Sequence, residues 1–150
     1  MSLLFPKKII IGLGADYVSL AEVKGDRLET WHMERFEHNK KDSWHSGLSI
    51  VLKRLSALSL GNIHVSFRLS SDLAPICLLP WRNEITKAEQ QALLAEAHFI
   101  KIYGNDVAQW KIAVDTPNYG QSWIASGVNL DMIENITLEL QRIGAKVTSI

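Results

Sequence analysis

The first 36 residues alternate between apolar runs and turn residues in a way that predicts three strands. Residues 9–11, all isoleucine, form a continuous apolar run of the kind found inside a sheet. A Gly-x-Gly turn follows at 12–14, and the segment YVSLAEV, 17–23, then alternates apolar and polar positions. KGDR predicts a tight turn, and LETWHMERF, 28–36, predicts a strand. One side of that strand carries Trp31, Met33 and Arg35. The pattern therefore predicts three consecutive antiparallel strands.

A helix and a fourth strand are predicted next. Asp42 or Ser43 is expected to cap the helix and Gly61 to end it. The segment NIHVSFRLS, 62–70, alternates apolar and polar residues and predicts a strand. Because a crossover helix precedes it, this strand is expected to run parallel to an earlier one. Apolar residues at helical spacing support the helix: Leu48, Val51, Leu52, Leu55 and Leu58.

The middle of the chain predicts a β-α-β-β insertion, at about residues 71–121. LAPICLLPW reads as an extended segment bounded by Pro75 and Pro80. Thr86 and Glu89 match the T-x-x-E capping box and predict a helix that ends at Gly104. AQWKIAVD and SWIASGV then predict two strands.

A last helix and strand are predicted from NLDMIENITLELQRIGA and KVTSI. Asn129 or Asp131 is expected to cap this helix, and Gly144 to end it. Its predicted buried face consists of Ile133, Ile136, Leu140 and Ile143. The elements together predict one α/β domain. Because the chain stops directly after the strand, we expect it to be a fragment of a longer protein.

Composition and charge narrow the range of partners and compartments. The 150 residues suffice for one domain, and 16 basic against 16 acidic residues give a formal net charge of zero. Without a basic excess, nucleic acid is not an expected partner. The single cysteine, Cys77, indicates a reducing compartment. No secretory signal is visible, and no apolar stretch approaches the ~20 residues of a membrane span, so we expect a cytoplasmic protein.

The Gly-x-Gly turn does not match the common phosphate-binding motifs. A dinucleotide site needs a helix directly after the turn, whereas 17–23 has the period of a strand. The third glycine of that fingerprint and the G-x-x-x-x-G-K-[ST] of a P-loop are both missing. A hairpin turn that offers backbone N–H groups to phosphates is the arrangement used in the actin-like ATPase fold.

The segment IIIGLGADYVSLAEV resembles the first hairpin of the pilus-assembly protein PilM and its relatives, which include the cytoplasmic domain of the secretion protein GspL. LLPW followed by a helix containing EAHFI, and the closing strand, helix and strand from SWIASGV onwards, are similar to the same family. The order of elements carries more weight than any single motif. The resemblance implies that 1–150 is one actin-like (ribonuclease H-like) lobe with an inserted subdomain and without the second lobe.

The resemblance also implies a nucleotide turn that has lost its charges. ATP-binding members carry an aspartate near the end of the first strand and a lysine early in the second, and these positions fall on Gly12 and Ser19. The turn glycine is kept as Gly14, whereas Asp16 would bring negative charge towards a phosphate. We therefore expect no ATPase activity, no catalytic residue, no metal and no cofactor.

The function that the resemblance implies is a scaffold in a bacterial pilus or type II secretion assembly system. Relatives bind the cytoplasmic tail of an inner-membrane partner, PilN- or GspM-like, and link it to an assembly ATPase. The protein would then lie at the inner membrane through its partners. Trp81 and Arg82 are the candidate partner contacts, because Trp and Arg are favoured at interface hot spots.

Two other interpretations stay open at this point. In the first, a second lobe completes an ATP-binding module. The sequence feature that distinguishes this module from the scaffold is the uncharged pair Gly12 and Ser19. In the second, the chain is an unrelated small α/β enzyme that uses Cys77 or a histidine.

Overall fold

The computed structural model describes residues 7–37, 43–58, 63–115 and 119–150. The chain divides into two compact units. The first is formed by Met1–Leu73 and Met132–Ile150, and the inserted unit is Ala74–Asp131. In chain order the elements are β1 (Lys7–Leu13), β2 (Tyr17–Lys24), β3 (Arg27–Arg35), α1 (Ser43–Ala57), β4 (Ile63–Leu69), β5 (Ile76–Leu79), α2 (Ala88–Tyr103), a 3₁₀ helix (Gly104–Gln109), β6 (Trp110–Asp115), β7 (Trp123–Asn129), α3 (Leu130–Arg142) and β8 (Ala145–Ser149).

The first unit contains a five-stranded mixed sheet in the order β3-β2-β1-β4-β8. β1 to β3 pair antiparallel, while β4 runs parallel to β1 and β8 runs parallel to β4. The predicted antiparallel strands and the predicted parallel strand after the crossover helix are both confirmed. Trp31, Met33 and Arg35 share one side of β3, as expected, because their β2 partners alternate in step.

One face of this sheet is buried under helices. Ile9, Ile11 and Leu13 point to it from β1 and are at most 2% exposed. α1 lies on the same face, since a side chain added at Gly47 would meet Leu13 and Phe36. A right-handed crossover from β4 to β8 places α3 on this face as well. β4 agrees with this arrangement, because Ile63, Val65 and Phe67 on that side are buried.

The inserted unit is a three-stranded antiparallel sheet, β5-β7-β6, packed with α2. The predicted insert, about 71–121, ends before β7. The compact unit Ala74–Asp131 includes β7, because β7 is the central strand of the three-stranded sheet. The buried core of the unit consists of Leu79, Ala95, Phe99, Val107, Trp123 and Ala125.

The capping box that was predicted for α2 was wrong. α2 begins at Ala88, so Thr86 does not cap it, and Gln90 Oε1 instead accepts a long hydrogen bond from the Lys87 N–H at 3.4 Å. Glu89 lies in the first turn, where a carboxylate is favourable next to the helix dipole. Asp42 and Gly61, the predicted bounds of α1, lie outside the described residues.

The buried face of α3 also differs from the prediction. Met132, Ile136 and Leu140 are buried, whereas Ile133 and Ile143 are only half-buried. The buried residues follow a four-residue spacing along α3, and Met132 occupies the place that was predicted for Ile133. Gly144 follows α3 with a φ of 76°, and its N–H donates to the Gln141 carbonyl at 3.0 Å. The predicted end of the helix is therefore confirmed.

No helix in the part of the chain that the structure describes has the length and apolar character needed to cross a membrane.

Leu140→Ala is expected to lower the free energy of unfolding of the first unit by about 2–5 kcal/mol, because it leaves a cavity under α3. Leu140 is 0% exposed. Leu138 lies on the same helix at 47% exposure, so Leu138→Ala is a matched control that should change stability by no more than about 0.5 kcal/mol. Urea unfolding followed by circular dichroism measures both. Equal losses would contradict the described orientation of α3.

Candidate functional site

The turn between β1 and β2 is fixed by backbone hydrogen bonds to both of its neighbours. The Gly14 N–H donates to the Tyr17 carbonyl at 2.9 Å and closes a loop of two residues, 15 and 16. The Phe36 N–H donates to the Asp16 carbonyl, and the Ser70 N–H donates to the Leu13 carbonyl, both at 2.9 Å. Because these bonds use only the backbone, they hold the turn in shape whatever its side chains are.

Gly14 lies beneath the ring of Tyr17. A Cβ added at Gly14 would overlap three carbons of that ring. Gly14 is not among the described glycines with a positive φ, so this close approach, rather than its backbone conformation, requires a glycine. The side of Gly14 on which a side chain would lie is therefore covered by an aromatic ring of the chain itself.

Gly12 and Ser19 face each other across β1 and β2, as Cα partners in the strand register. The structure thus brings together the two positions that the resemblance aligns with the aspartate and lysine of ATP-binding proteins, and that alignment stays a prediction. A Cβ added at Gly12 would overlap the Ser19 hydroxyl oxygen. An aspartate at position 12 could not be accommodated unless Ser19 moved.

Asp16 is paired with a cation. Its Oδ2 lies 3.2 Å from Nη1 of Arg35, which donates a hydrogen bond to it. Arg35 is exposed and Asp16 is half-buried, so the pair contributes at most about 1 kcal/mol to stability. Its main consequence is electrostatic, because the two charges cancel and leave the tip of the turn without net positive charge.

Arg68 is a neighbour of this turn that the sequence analysis missed. It is the Cα partner of Gly12 on β4. Its Nη1 donates to Ser66 Oγ at 3.2 Å and to the Phe67 carbonyl at 3.1 Å, so the guanidinium is held along its own strand. Strand alternation gives the side on which Arg68 lies, but the register of a parallel pair cannot be obtained from the sequence.

Trp81 and Arg82, the candidate partner contacts, belong to the inserted unit. Trp81 is half-buried, and its Nε1 donates to Asn83 Oδ1 at 2.8 Å. Its ring packs edge-on against Trp123, with centroids 5.7 Å apart. These contacts show that Trp81 packs within the inserted unit. Arg82 is exposed. Their role in binding a partner stays a prediction.

The alternative with a catalytic cysteine gains no support from the surroundings of Cys77. Burial raises the pKa of its thiol above the ordinary value, whereas an activated nucleophile has a lowered pKa. The thiol is therefore protonated at neutral pH. Among the described residues, no group of three His, Cys, Asp or Glu side chains is arranged to hold a metal ion.

Comparison with solved structures identifies the architecture. The chain matches the cytoplasmic domain of EpsL, an inner-membrane component of the type II secretion system of Vibrio cholerae, with a TM-score of 0.68 at 10% identity over 95% of this chain and 55% of that one. It also matches a Bacteroides thetaiotaomicron protein of actin-like ATPase fold and unknown function, with a TM-score of 0.59 at 16% identity over 95% of this chain and 51% of that one. The chain has an actin-like fold.

A third match extends this result to pilus proteins. The actin-like chain matches a chain of the PilM–PilN type IV pilus biogenesis complex with a TM-score of 0.57, at 12% identity over 94% of this chain and 46% of that one. The predicted fold class and the resemblance to PilM and GspL are thereby confirmed at the level of the fold. The chain spans about half the length of each of these three structures. Neither a protein-family model nor a curated protein sequence matches it.

In this actin-like unit, Gly14→Ala is expected to lower the free energy of unfolding by about 1–3 kcal/mol, because the new methyl group overlaps the Tyr17 ring. Tyr17→Ala removes the ring, so the double variant should lose less than the sum of the two single losses. Urea unfolding of the four proteins measures this coupling.

Gly25→Ala provides the control for that cycle. Gly25 has a φ of 61° with nothing within 4 Å of an added Cβ, so its substitution is costly through the backbone alone. It should show no coupling to Tyr17→Ala. Additive losses for Gly14 and Tyr17 would contradict the packing of the ring over the turn.

Proposed function

We propose that this actin-like lobe is a non-enzymatic scaffold of a bacterial secretion or pilus assembly machine. The observation that supports the proposal is the β1–β2 turn, where the Gly14 N–H is bonded to the Tyr17 carbonyl and the Tyr17 ring and Ser19 hydroxyl occupy the space beside Gly14 and Gly12. The names of two structural neighbours, an inner-membrane component of a type II secretion system and a pilus biogenesis complex, support the assembly role.

The charges at the turn argue against binding of a nucleotide. A triphosphate needs cations and free N–H donors, but the Gly14 N–H is already bonded to Tyr17 and the charge of Arg35 is cancelled by Asp16. The remaining cation, Arg68 beside Gly12, is held along its own strand by Ser66 Oγ and the Phe67 carbonyl. Charge-assisted hydrogen bonds contribute about 1.5–3 kcal/mol each. Without an aspartate–magnesium contact and a lysine–phosphate contact, the affinity for Mg-ATP would therefore be roughly 100-fold weaker or more.

A docking role needs a partner, and the neighbours suggest its class. PilN accompanies PilM in the pilus complex, and EpsL is itself an inner-membrane component. We infer that this lobe binds the cytoplasmic tail of an inner-membrane assembly protein of the PilN or GspM type, with an assembly ATPase as a second partner. The protein would then be cytoplasmic and held at the inner membrane through these contacts.

Mg-ATP titrated into the full-length protein is expected to give no binding heat in the micromolar range. The Tyr17→Ala variant, which uncovers Gly14, should behave in the same way, because the ionic groups are still missing. A nucleotide-binding actin-like protein titrated under the same conditions is the positive control. Micromolar binding by the unmodified protein would contradict the non-enzymatic scaffold, and binding by the variant alone would identify the ring as the barrier.

The partner class is tested by cross-linking in living cells of the source organism. Affinity purification of the tagged protein after cross-linking should enrich inner-membrane assembly proteins over a tagged α/β domain of unrelated function. Enrichment of a soluble metabolic complex in their place would contradict the assembly role and would leave the conclusion about nucleotide binding unaffected.

A further inference from the structure

β3 forms one edge of the five-stranded sheet, because it pairs with β2 and with no other described strand. β8 forms the opposite edge, at a distance of about 19 Å for strands spaced about 4.8 Å apart. An edge strand presents unpaired N–H and C=O groups to which another strand can add. Side chains along this edge are in contact with solvent, since Leu28 is 62% exposed and Trp31 is 65% exposed. The outer edge of β3 is therefore a candidate for pairing with a further strand.

The hydrogen bonds of the two hairpins show which backbone groups of β3 face the outer edge. The Gly14 N–H donates to the Tyr17 carbonyl, so these two residues are a hydrogen-bonded pair. Such pairs alternate along an antiparallel ladder, and the even-numbered residues of β2 therefore turn towards β3. The bond from the Phe36 N–H to the Asp16 carbonyl agrees with this alternation. In β3 the even-numbered residues thus bond to β2, and the backbone groups of the odd-numbered residues point to the outer edge.

The sequence of β3 is complementary to its own reverse about His32. In an antiparallel pair of two copies with His32 on the two-fold axis, Trp31 of each copy faces Met33 of the other. Glu29 of each copy then faces Arg35 of the other. Both matches join odd-numbered residues, whose backbone groups face the outer edge. A two-fold interface needs this kind of complementarity, because the same patch serves both copies.

The two neighbouring registers that the backbone allows lack this match. Moving the axis to Trp31 places Arg27 opposite Arg35 of the second copy. Moving it to Met33 places Glu29 opposite Glu37. Like charges directly opposite each other destabilise a strand pair. The charges of β3 therefore favour the register that is centred on His32.

Glu29 and Arg35 already have partners within the chain, and the pairing extends these contacts. Glu29 lies 3.3 Å from Lys24, and Arg35 lies 3.2 Å from Asp16. In the pair of copies, each Glu29 would lie between Lys24 of its own chain and Arg35 of the other. Each Arg35 would in turn lie between two carboxylates. Charges then alternate along the row, and several charges in a network contribute more than one exposed pair.

α1 leaves room for a second copy on the helix side of the edge. An open cavity of about 450 Å³ is lined by Glu34 of β3 together with Ile50 and Lys53 of α1. α1 contacts β1 and β2, so the two α1 helices of a pair would lie about four strand spacings, roughly 19 Å, apart. Helices in contact are about 8–10 Å apart. The helices of the two copies would therefore not collide.

We propose that β3 pairs antiparallel with β3 of a second copy and joins the two sheets into one, with His32 on the two-fold axis. Each match of Trp31 with Met33 would exchange two backbone hydrogen bonds. These side chains would form an apolar centre with the Glu29–Arg35 contacts at its rim, which is the usual anatomy of an interface. Because one strand pair is a small interface, we expect a Kd of roughly 10 μM. The pairing does not depend on the proposed function, since it rests only on the edge of β3.

Sedimentation equilibrium of the 150-residue chain, from about tenfold below to tenfold above that Kd, measures the association. The chain should pass from monomer to dimer over this range. Met33→Pro removes an N–H at the outer edge and none that bonds to β2, so it should weaken the dimer by about tenfold or more. Trp31→Ser should weaken it as well, whereas Leu93→Ser, at an equally exposed 65% position on α2, should not. Circular dichroism checks that each variant is folded.

Two charge variants test the register. Glu29→Arg places arginine opposite arginine, and Arg35→Glu places glutamate opposite glutamate, so each variant alone should be monomeric where the unmodified chain is dimeric. An equimolar mixture of the two should dimerise again, because every contact then joins an arginine to a glutamate. This recovery also shows that both variants are folded. Glu96→Arg, an exposed position on α2, is the control and should leave the dimer unchanged.

A cysteine on the axis gives a covalent measurement of the same register. In a Cys77→Ser background, His32→Cys places two thiols opposite each other at a non-hydrogen-bonded position, with Cα atoms about 4.5 Å apart, and a disulfide can form. The oxidised variant should therefore run as a cross-linked dimer. Glu34→Cys, on the same side of β3, places the two thiols about 14 Å apart and should stay monomeric.

Three results would overturn the proposal. The first is a chain that stays monomeric at every concentration. The second is a dimer that Met33→Pro leaves intact, or a mixture of the two charge variants that does not dimerise, because either result places the contact elsewhere. The third is equal cross-linking of the His32→Cys and Glu34→Cys variants, which would reveal random collision in place of a fixed register.

Discussion

Everything in the first unit is built around β1, which is hydrogen-bonded antiparallel to β2 on one side and parallel to β4 on the other. Ile9, Ile11 and Leu13 anchor this strand, and burial of each such side chain contributes about 1.5–3 kcal/mol. Because the side-chain period of a strand is two, a slip of one residue would move this set to the opposite face of the sheet. The same register then decides which residues meet at the turn.

The shape of the β1–β2 turn does not depend on charged side chains. Its contour depends on backbone hydrogen bonds at Gly14, Phe36 and Ser70, none of which involves a charged side chain. The ionic groups at positions 12 and 19 can therefore be absent without any loss of the fold. A fold shared at 10–16% identity is accordingly weak evidence for a shared reaction, and the residues at the site have to be considered separately.

The sequence was most informative where a local pattern decides the structure. Alternation in YVSLAEV predicted β2, and Gly104 and Gly144 marked the ends of α2 and α3, where both adopt a positive φ. The capping box at Thr86 failed because a first-turn glutamate is favourable with or without a cap. The buried face of α3 was displaced from Ile133 to Met132, since a pattern of apolar residues gives the helix face only to within about one residue.

Only part of the candidate site could be predicted from local sequence patterns. The sequence analysis placed Gly12 and Ser19 near one hairpin, but their pairing across β1 and β2 is known only from the strand register. The position of Arg68 beside Gly12 depends on a parallel register between strands separated by a helix, and the cover of Tyr17 over Gly14 depends on a rotamer. Neither is encoded in a local pattern.

The overlap of Ser19 with the space beside Gly12 also has an evolutionary consequence. An acidic side chain introduced at position 12 would collide with a hydroxyl, and any side chain at position 14 would collide with an aromatic ring. A side chain at position 12 needs only another rotamer of the Ser19 hydroxyl, whereas a side chain at position 14 needs the whole Tyr17 ring to move. Position 14 is therefore the more strongly constrained of the two, and substitutions in this turn are expected to accumulate at position 12 first.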